Sequence, residues 1–143
     1  TAIKEVKKRP HITLKYFGDI EKENIWTINE IIFDNLAKLK NATIRINGIS
    51  LIGHKKSNMA LVGLVECSRE IVNLRKLLDK SFFNPSELPF FPHVTIMETH
   101  KKFQIYRAQK VVEVFGDFKT TKAKIDNIYF ADRNHKPIFT LPE

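Results

Sequence analysis

The chain has 143 residues and only one cysteine, Cys67. An internal disulfide is thereby excluded, as is a zinc site built from cysteines, and a reducing, cytoplasmic setting is the natural expectation. Long apolar runs are missing too. The longest, such as "MALVGLV", are too short to span a bilayer, and no apolar stretch of the signal-peptide kind follows the basic first ten residues, so no membrane partner is expected. Several catalytic signatures are also absent. There is no HExxH or CxxC, no GxSxG and no phosphate-cradling GxxxxGK[ST]. No metal and no cofactor is therefore called for.

Acidic residues are the minority: 16 Asp and Glu stand against 24 Lys and Arg, for a net charge of +8. "EVKKRPH", "GHKKSN" and "THKKF" set cations in or beside loops and strand ends. Clustered positive charge attracts polyanions, so a phosphate-bearing partner competes with the simpler reading of a solvated lysine-rich surface. Charge alone does not separate nucleic acid from a small nucleotide.

At 43% hydrophobic, a chain of this length is expected to form a single domain over residues 1–143. "HITLKYF" reads as a strand and Asp19 as a helix cap. Ile25, Ile28, Ile32, Leu36 and Leu39 recur at helical spacing over about 21–40. "TIRINGISLIG" alternates as a strand whose beat slips at Gly48, a bulge, and "MALVGLVE" reads as a strand buried on both faces. Ser68 is placed to cap a helix over roughly 69–80, with Ile71, Leu74 and Leu78 inward. "FFNPSELPFFP" is a loop. "HVTIM" is a strand, followed by a helix over about 101–115 whose inner face carries Ile105, Ala108, Val112 and Phe115, with Gly116 at its end. "AKIDNIYFA", a turn at "DRNH" and "KPIFTL" complete a last hairpin.

This order repeats. Strand with His-x-Thr, helix and hairpin occur over residues 11–65 and again over 93–141. "INGISLIGHKKSNMAL" aligns without a gap on "IDNIYFADRNHKPIFT", with Ile46/Ile125, Ile49/Ile128, Leu51/Phe130 and Met59/Ile138 coinciding. The expected fold is α+β. Two pseudo-symmetric βαββ lobes, about 11–66 and 93–141, would place antiparallel sheets around a central cleft, with helices on the outer faces.

In a strand, residues i and i+2 share a face. His11 with Thr13, and His93 with Thr95, would each present one imidazole and one hydroxyl, with apolar residues (Ile12 and Leu14, Val94 and Ile96) behind. Across a two-fold, the four groups would converge. Breaking a phosphodiester needs a base for the attacking oxygen and an acid for the leaving one, and imidazole serves either role near neutral pH. Hydroxyls at Thr13 and Thr95 would hold the non-bridging oxygens. Lys15 would add charge on the same face if the alternation reaches it. Cys67 reads as a minor packing residue. His54, His100 and His135 read as solvated loop or helix-start histidines.

At these residues the chain resembles the 2H phosphoesterase superfamily, named for two His-x-[Ser/Thr] motifs. "HITLKYFG" with its acidic helix start is similar to the branch of RNA 2′,5′-ligases and cyclic phosphodiesterases. The resemblance runs from about Arg9 to Leu141. It implies metal-independent cleavage of 2′,3′-cyclic or 2′,5′-linked phosphodiesters in oligonucleotides or RNA ends. It assigns catalysis to His11 and His93 and phosphate binding to Thr13 and Thr95. Tyr16, Phe17, Phe90 and Phe91 become candidates to stack a base, with core packing as the other use of such rings. Viral and phage relatives that degrade oligonucleotide defence signals make an antagonist of host defence one expectation. Such family members usually carry a strand and helix before the first motif, whereas ten residues precede His11 here. That implies either a piece of a larger polypeptide or a minimal first lobe, with a monomeric domain expected in both cases. The alternative function is a non-catalytic module that binds RNA or nucleotide on the same fold.

Overall fold

The computed structural model describes residues 10–53, 58–125, 128–131 and 137–140. Among these residues ten elements follow one another. They are α1 (Lys22–Asp34), α2 (Leu36–Leu39), β1 (Thr43–Gly53), β2 (Met59–Cys67), α3 (Arg69–Ser81), β3 (His93–Thr99), α4 (Lys102–Phe115), β4 (Ala123–Lys124), β5 (Tyr129–Ala131) and β6 (Pro137–Thr140). The architecture is mixed α/β, with a four-stranded antiparallel sheet in the order β3-β2-β1-β4 and a separate β5-β6 pair. The expected turns at 54–57 and 132–136 lie outside the described residues. Chain contacts divide into two compact units. The first takes residues up to Leu14 with Arg45–Glu66 and Phe91–Thr121; the second takes Lys15–Ile44, Cys67–Phe90 and Lys122–Glu143.

In the first unit β2 is buried on both faces, as its unbroken apolar run requires: Met59, Leu61, Val62, Gly63 and Val65 are all buried. Removing such side chains from water stabilises the fold by roughly 1.5–3 kcal/mol each. Gly63 is buried where a side chain would press on Val94 and Ile46. Thr99 is fully buried, and its hydroxyl donates to the Met59 carbonyl at 2.9 Å, so the end of β3 leaves no unsatisfied polar group. Ala108 marks the inner face of α4. Phe115, expected beside it, is exposed, because it stands in the last turn where the chain leaves toward Gly116.

The beat of β1 slips at Gly48, as its sequence predicts. Gly48 has φ +110°, its N–H bonds the Phe118 carbonyl at 2.7 Å, and a Cβ there would lie 3.3 Å from the Gly116 carbonyl oxygen. Only glycine takes that backbone without strain.

The second unit is built on α1 and α3, which bury Ile28, Ile32, Ile71, Leu74 and Leu78 against one another and against Leu39 and Ala42. The helix expected over 21–40 breaks at Asn35, whose amide donates to the Ile31 carbonyl at 2.7 Å while its own N–H turns to Ile32. That side-chain bond competes with the helical ladder and divides it in two. Glu21, not Asp19, stands at the start of α1. Ser68 does precede α3 but makes no cap bond. Its Oγ accepts the Thr43 N–H at 2.9 Å instead, tying α3 to the first residue of β1. Glu70 in the first turn is held below the usual carboxylate range by its own backbone N–H and by the Ser68 hydroxyl.

An ion network, buried except at the partly exposed Asp79, completes this unit. Lys15 Nζ lies 2.6 Å from both Asp79 Oδ1 and Glu87 Oε1. Arg75 Nε lies 2.8 Å from Asp79 Oδ1, and its Nη2 lies 2.7 Å from Glu87 Oε1. The side chains of Lys15 and Glu87 are only 3% and 16% exposed. The Arg75 guanidinium also covers the Phe90 ring at 5.2 Å. Burial pushes the Asp79 carboxyl up, but hydrogen bonds and charge from Lys15 and Arg75 outweigh this and hold it below its usual value.

Three outcomes test these features. Gly48→Ala should lose about 1–3 kcal/mol in urea unfolding, from strain at positive φ. Lys15→Met should lose about 3–5 kcal/mol, because Glu87 is left buried beside a single cation. The depressed Asp79 value gives a contribution fully present above the unfolded carboxylate pKa of about 3.9 and lost as pH falls through the lower folded value. Asp79→Asn should therefore flatten the acid limb of stability against pH below about pH 4.

Candidate functional site

β3 runs antiparallel to β2 with His93 opposite Leu64, Val94 opposite Gly63 and Thr95 opposite Val62. The ladder is regular over these three residues, so His93 and Thr95 share one face, as the His-x-Thr spacing predicts. Thr95 is exposed and His93 half-buried. Beyond Thr95 the alternation fails. Leu61 pairs with Met97 and Val62 with Thr95, so Ile96 is the extra residue of a bulge. The expectation that Ile96 backs the motif inside the core is corrected: it is 52% exposed.

His93 Nδ1 lies 2.8 Å from the Phe91 carbonyl oxygen. A carbonyl only accepts, so Nδ1 must carry the proton in this contact. In the neutral ring the lone pair is then on Nε2, and in the charged ring Nε2–H is the donor not already committed. Phe91 itself is half-exposed, with its ring 5.4 Å from the imidazole. The backbone two residues upstream thus commits Nδ1 and leaves Nε2 as the ring nitrogen outside this contact. Sequence spacing carried no hint of this; only the carbonyl geometry shows it.

His11 and Thr13, both exposed, belong to the same compact unit as His93 and Thr95. They are not in a strand: residues 10–20 form no ladder with β1–β6. The chain there turns instead on Lys15, whose ammonium is drawn to two carboxylates, and on Gly18 at φ +69°. Lys15 is thus placed within the buried ion network and not on an open strand face. The four candidate rings also separate. Phe17 packs edge-on against Phe82 at 5.5 Å and against Phe130 at 5.7 Å, and Phe90 lies under Arg75. Tyr16 and Phe91 are exposed.

Cys67 is half-buried, and burial pushes its thiol up, away from the reactive thiolate. Among the described residues no three His, Cys, Asp or Glu side chains cluster as metal ligands would. A groove of about 410 Å³ opens in the second unit, lined by Asn35, Lys38, Asn41, Glu70 and Asn73 among others. No His-x-Thr residue lines it. No described helix is long and apolar enough to cross a membrane.

One compact unit thus holds both His-x-Thr motifs, with His93 and Thr95 on one face of β3 and His11 and Thr13 exposed. Comparison with known families agrees: the model of the 2′-5′ RNA ligase superfamily matches residues 6–137, and the chain belongs to that superfamily, the 2H phosphoesterases. No curated protein matches the sequence. Membership points to 2H phosphoesterase activity in general, in a superfamily whose members are generally phosphodiesterases or ligases.

The tautomer is directly measurable. Long-range ¹H–¹⁵N correlation on the neutral protein should show His93 with a protonated Nδ1 and a pyridine-like Nε2. The reverse pattern would remove the Phe91 carbonyl from the site.

Proposed function

We propose that the chain is a phosphodiesterase that opens 2′,3′-cyclic or 2′,5′-linked phosphodiesters in oligonucleotides or at RNA ends, with His11 and His93 on opposite sides of one phosphorus. Two things support this: family membership over nearly the whole chain, and the His93–Thr95 face with Nε2 turned from the backbone. In the forward step one imidazole takes the proton of the attacking water or hydroxyl as the new P–O bond forms. The other gives its proton to the departing oxygen as the old P–O bond breaks. Thr13 and Thr95 hydroxyls hold the non-bridging oxygens between them. Each imidazole starts in the opposite protonation state from its partner and ends with the two states exchanged. Exchanging the direction of attack exchanges the roles, and Nε2 of His93 serves in both.

The two-lobed pseudo-symmetry inferred from the sequence repeat belongs to this proposal, since it would bring the second imidazole opposite the first. So does a base stacked on an exposed ring, for which Phe91 beside His93 is the better placed of the candidates. Degradation of an oligonucleotide signal is one use to which such an activity would be put.

Turnover of 2′,3′-cyclic nucleotides and of 2′,5′-oligoadenylate in EDTA, across pH, tests the proposal. The parent should show a bell-shaped profile. His11→Ala and His93→Ala should each lower kcat by about 10²–10⁴-fold, the worth of one general acid or base. Oligonucleotide binding without turnover in the parent, undiminished in both variants, would instead identify a binding module.

A further inference from the structure

Helix α4 carries large rings on the wrong side. At 3.6 residues per turn Phe103, Tyr106, Arg107, Lys110 and Val114 fall along one face, opposite buried Ala108. Phe103 is 54% exposed, Tyr106 60% and Val114 71%. A solvent-facing helix surface ordinarily carries polar residues, so two neighbouring rings there call for an explanation.

Their neighbours supply one. Lys101 Nζ and Arg107 Cζ lie 5.9 and 5.8 Å from the centre of the Phe103 ring, and Lys110 Nζ lies 5.4 Å from that of Tyr106. Lys102 adds another cation at the start of the helix, and the carboxylate paired within this stretch is Glu113, 3.5 Å from Lys110. The start of the face is held in place by Gln104, whose Oε1 accepts the N–H groups of His100 and Lys101 at 2.8 and 3.1 Å. The pattern is two exposed rings, each edged by cations at its own level, on a helix of the unit that also holds both His-x-Thr motifs.

We infer that this outer face of α4 is a docking surface for single-stranded RNA. Bases stack on Phe103 and Tyr106, and phosphates are taken by Lys101, Arg107 and Lys110. An exposed cation–π contact is weak, so each cation can leave its ring for a phosphate as a base takes its place. Charge decides the occupant. A protein-docking face concentrates apolar area and sheds lysine at its centre, whereas here cations alternate with the rings on a chain of net charge +8. The inference rests on the phosphodiesterase proposal for its substrate class and extends it to nucleotides beyond the scissile bond.

The probe is a short fluorescein-labelled single-stranded 2′-O-methyl RNA, which carries no free 2′-hydroxyl, with anisotropy as the readout. Phe103→Ala/Tyr106→Ala should raise Kd about tenfold or more. Arg107→Gln/Lys110→Gln should weaken binding and lower the slope of log Kd against log salt by about 1.4, two charges at roughly 0.7 each. Turnover of a 2′,3′-cyclic mononucleotide should be unchanged in both, which also shows that they fold. Phe103→Leu/Tyr106→Leu keeps apolar area but removes the stacking surface, and should bind as poorly as the alanine pair. Parental affinity in the leucine pair, unchanged affinity in the alanine pair, or parental binding to anionic phosphatidylserine vesicles but not to the oligonucleotide would each overturn the inference. A parent that binds the RNA through this face yet cleaves no phosphodiester would sink the catalytic proposal and leave the docking surface standing.

Discussion

Two cations and two carboxylates tie three separate stretches of the second unit together, with Lys15, Arg75 and Glu87 largely withdrawn from water and Asp79 partly open to it. Lys15 comes from the segment after the first motif, Arg75 and Asp79 from one face of α3, and Glu87 from the proline-rich loop. Each ion alone would be costly to bury, several kcal/mol even after relaxation. Together their charges cancel, and each cation bridges the same two carboxylates. Such a network adds little to stability over an apolar cluster of equal volume, but it accepts one arrangement only, because any slip leaves an unpaired buried charge. Its value is geometric. It fixes Lys15 in place and, through Arg75, holds Phe90 within the same unit. The loop between α3 and β3 has no ladder or helix of its own to define its path, so this anchoring supplies what secondary structure does not.

How far the sequence could be read follows from the range of the forces involved. α3 is legible because Ile71, Leu74 and Leu78 obey a local period and all three are buried. Gly48 is legible because a break in alternation and a glycine coincide there. Ser68 is half legible: it marks the start of α3, but its hydroxyl goes to Thr43, 25 residues away in sequence, which no local rule contains. Ile96 and Phe115 mislead for a related reason. A bulge and a helix end each change which way a side chain points without changing its hydrophobicity. Lys15 was the least readable, since alternation put it beside His11 and Thr13, while the carboxylates that claim it lie 64 and 72 residues further on.

The site shows the same division. Its residue types and the shared face of His93 and Thr95 follow from spacing alone. The fixed tautomer of His93 does not, because it depends on where the Phe91 carbonyl points, and that is set by the turn of backbone entering β3. A histidine free to donate from either nitrogen presents the wrong one part of the time, whereas a ring already committed at Nδ1 offers Nε2 in both protonation states.

The two motifs, alike in sequence, therefore reach their positions by different means. His93 and Thr95 are aligned by a ladder to β2 and by a carbonyl behind the ring. His11 and Thr13 stand outside any ladder of β1–β6 and are followed at once by a buried lysine that fixes the chain after them. A ladder specifies direction residue by residue, while an anchor specifies only where a segment ends.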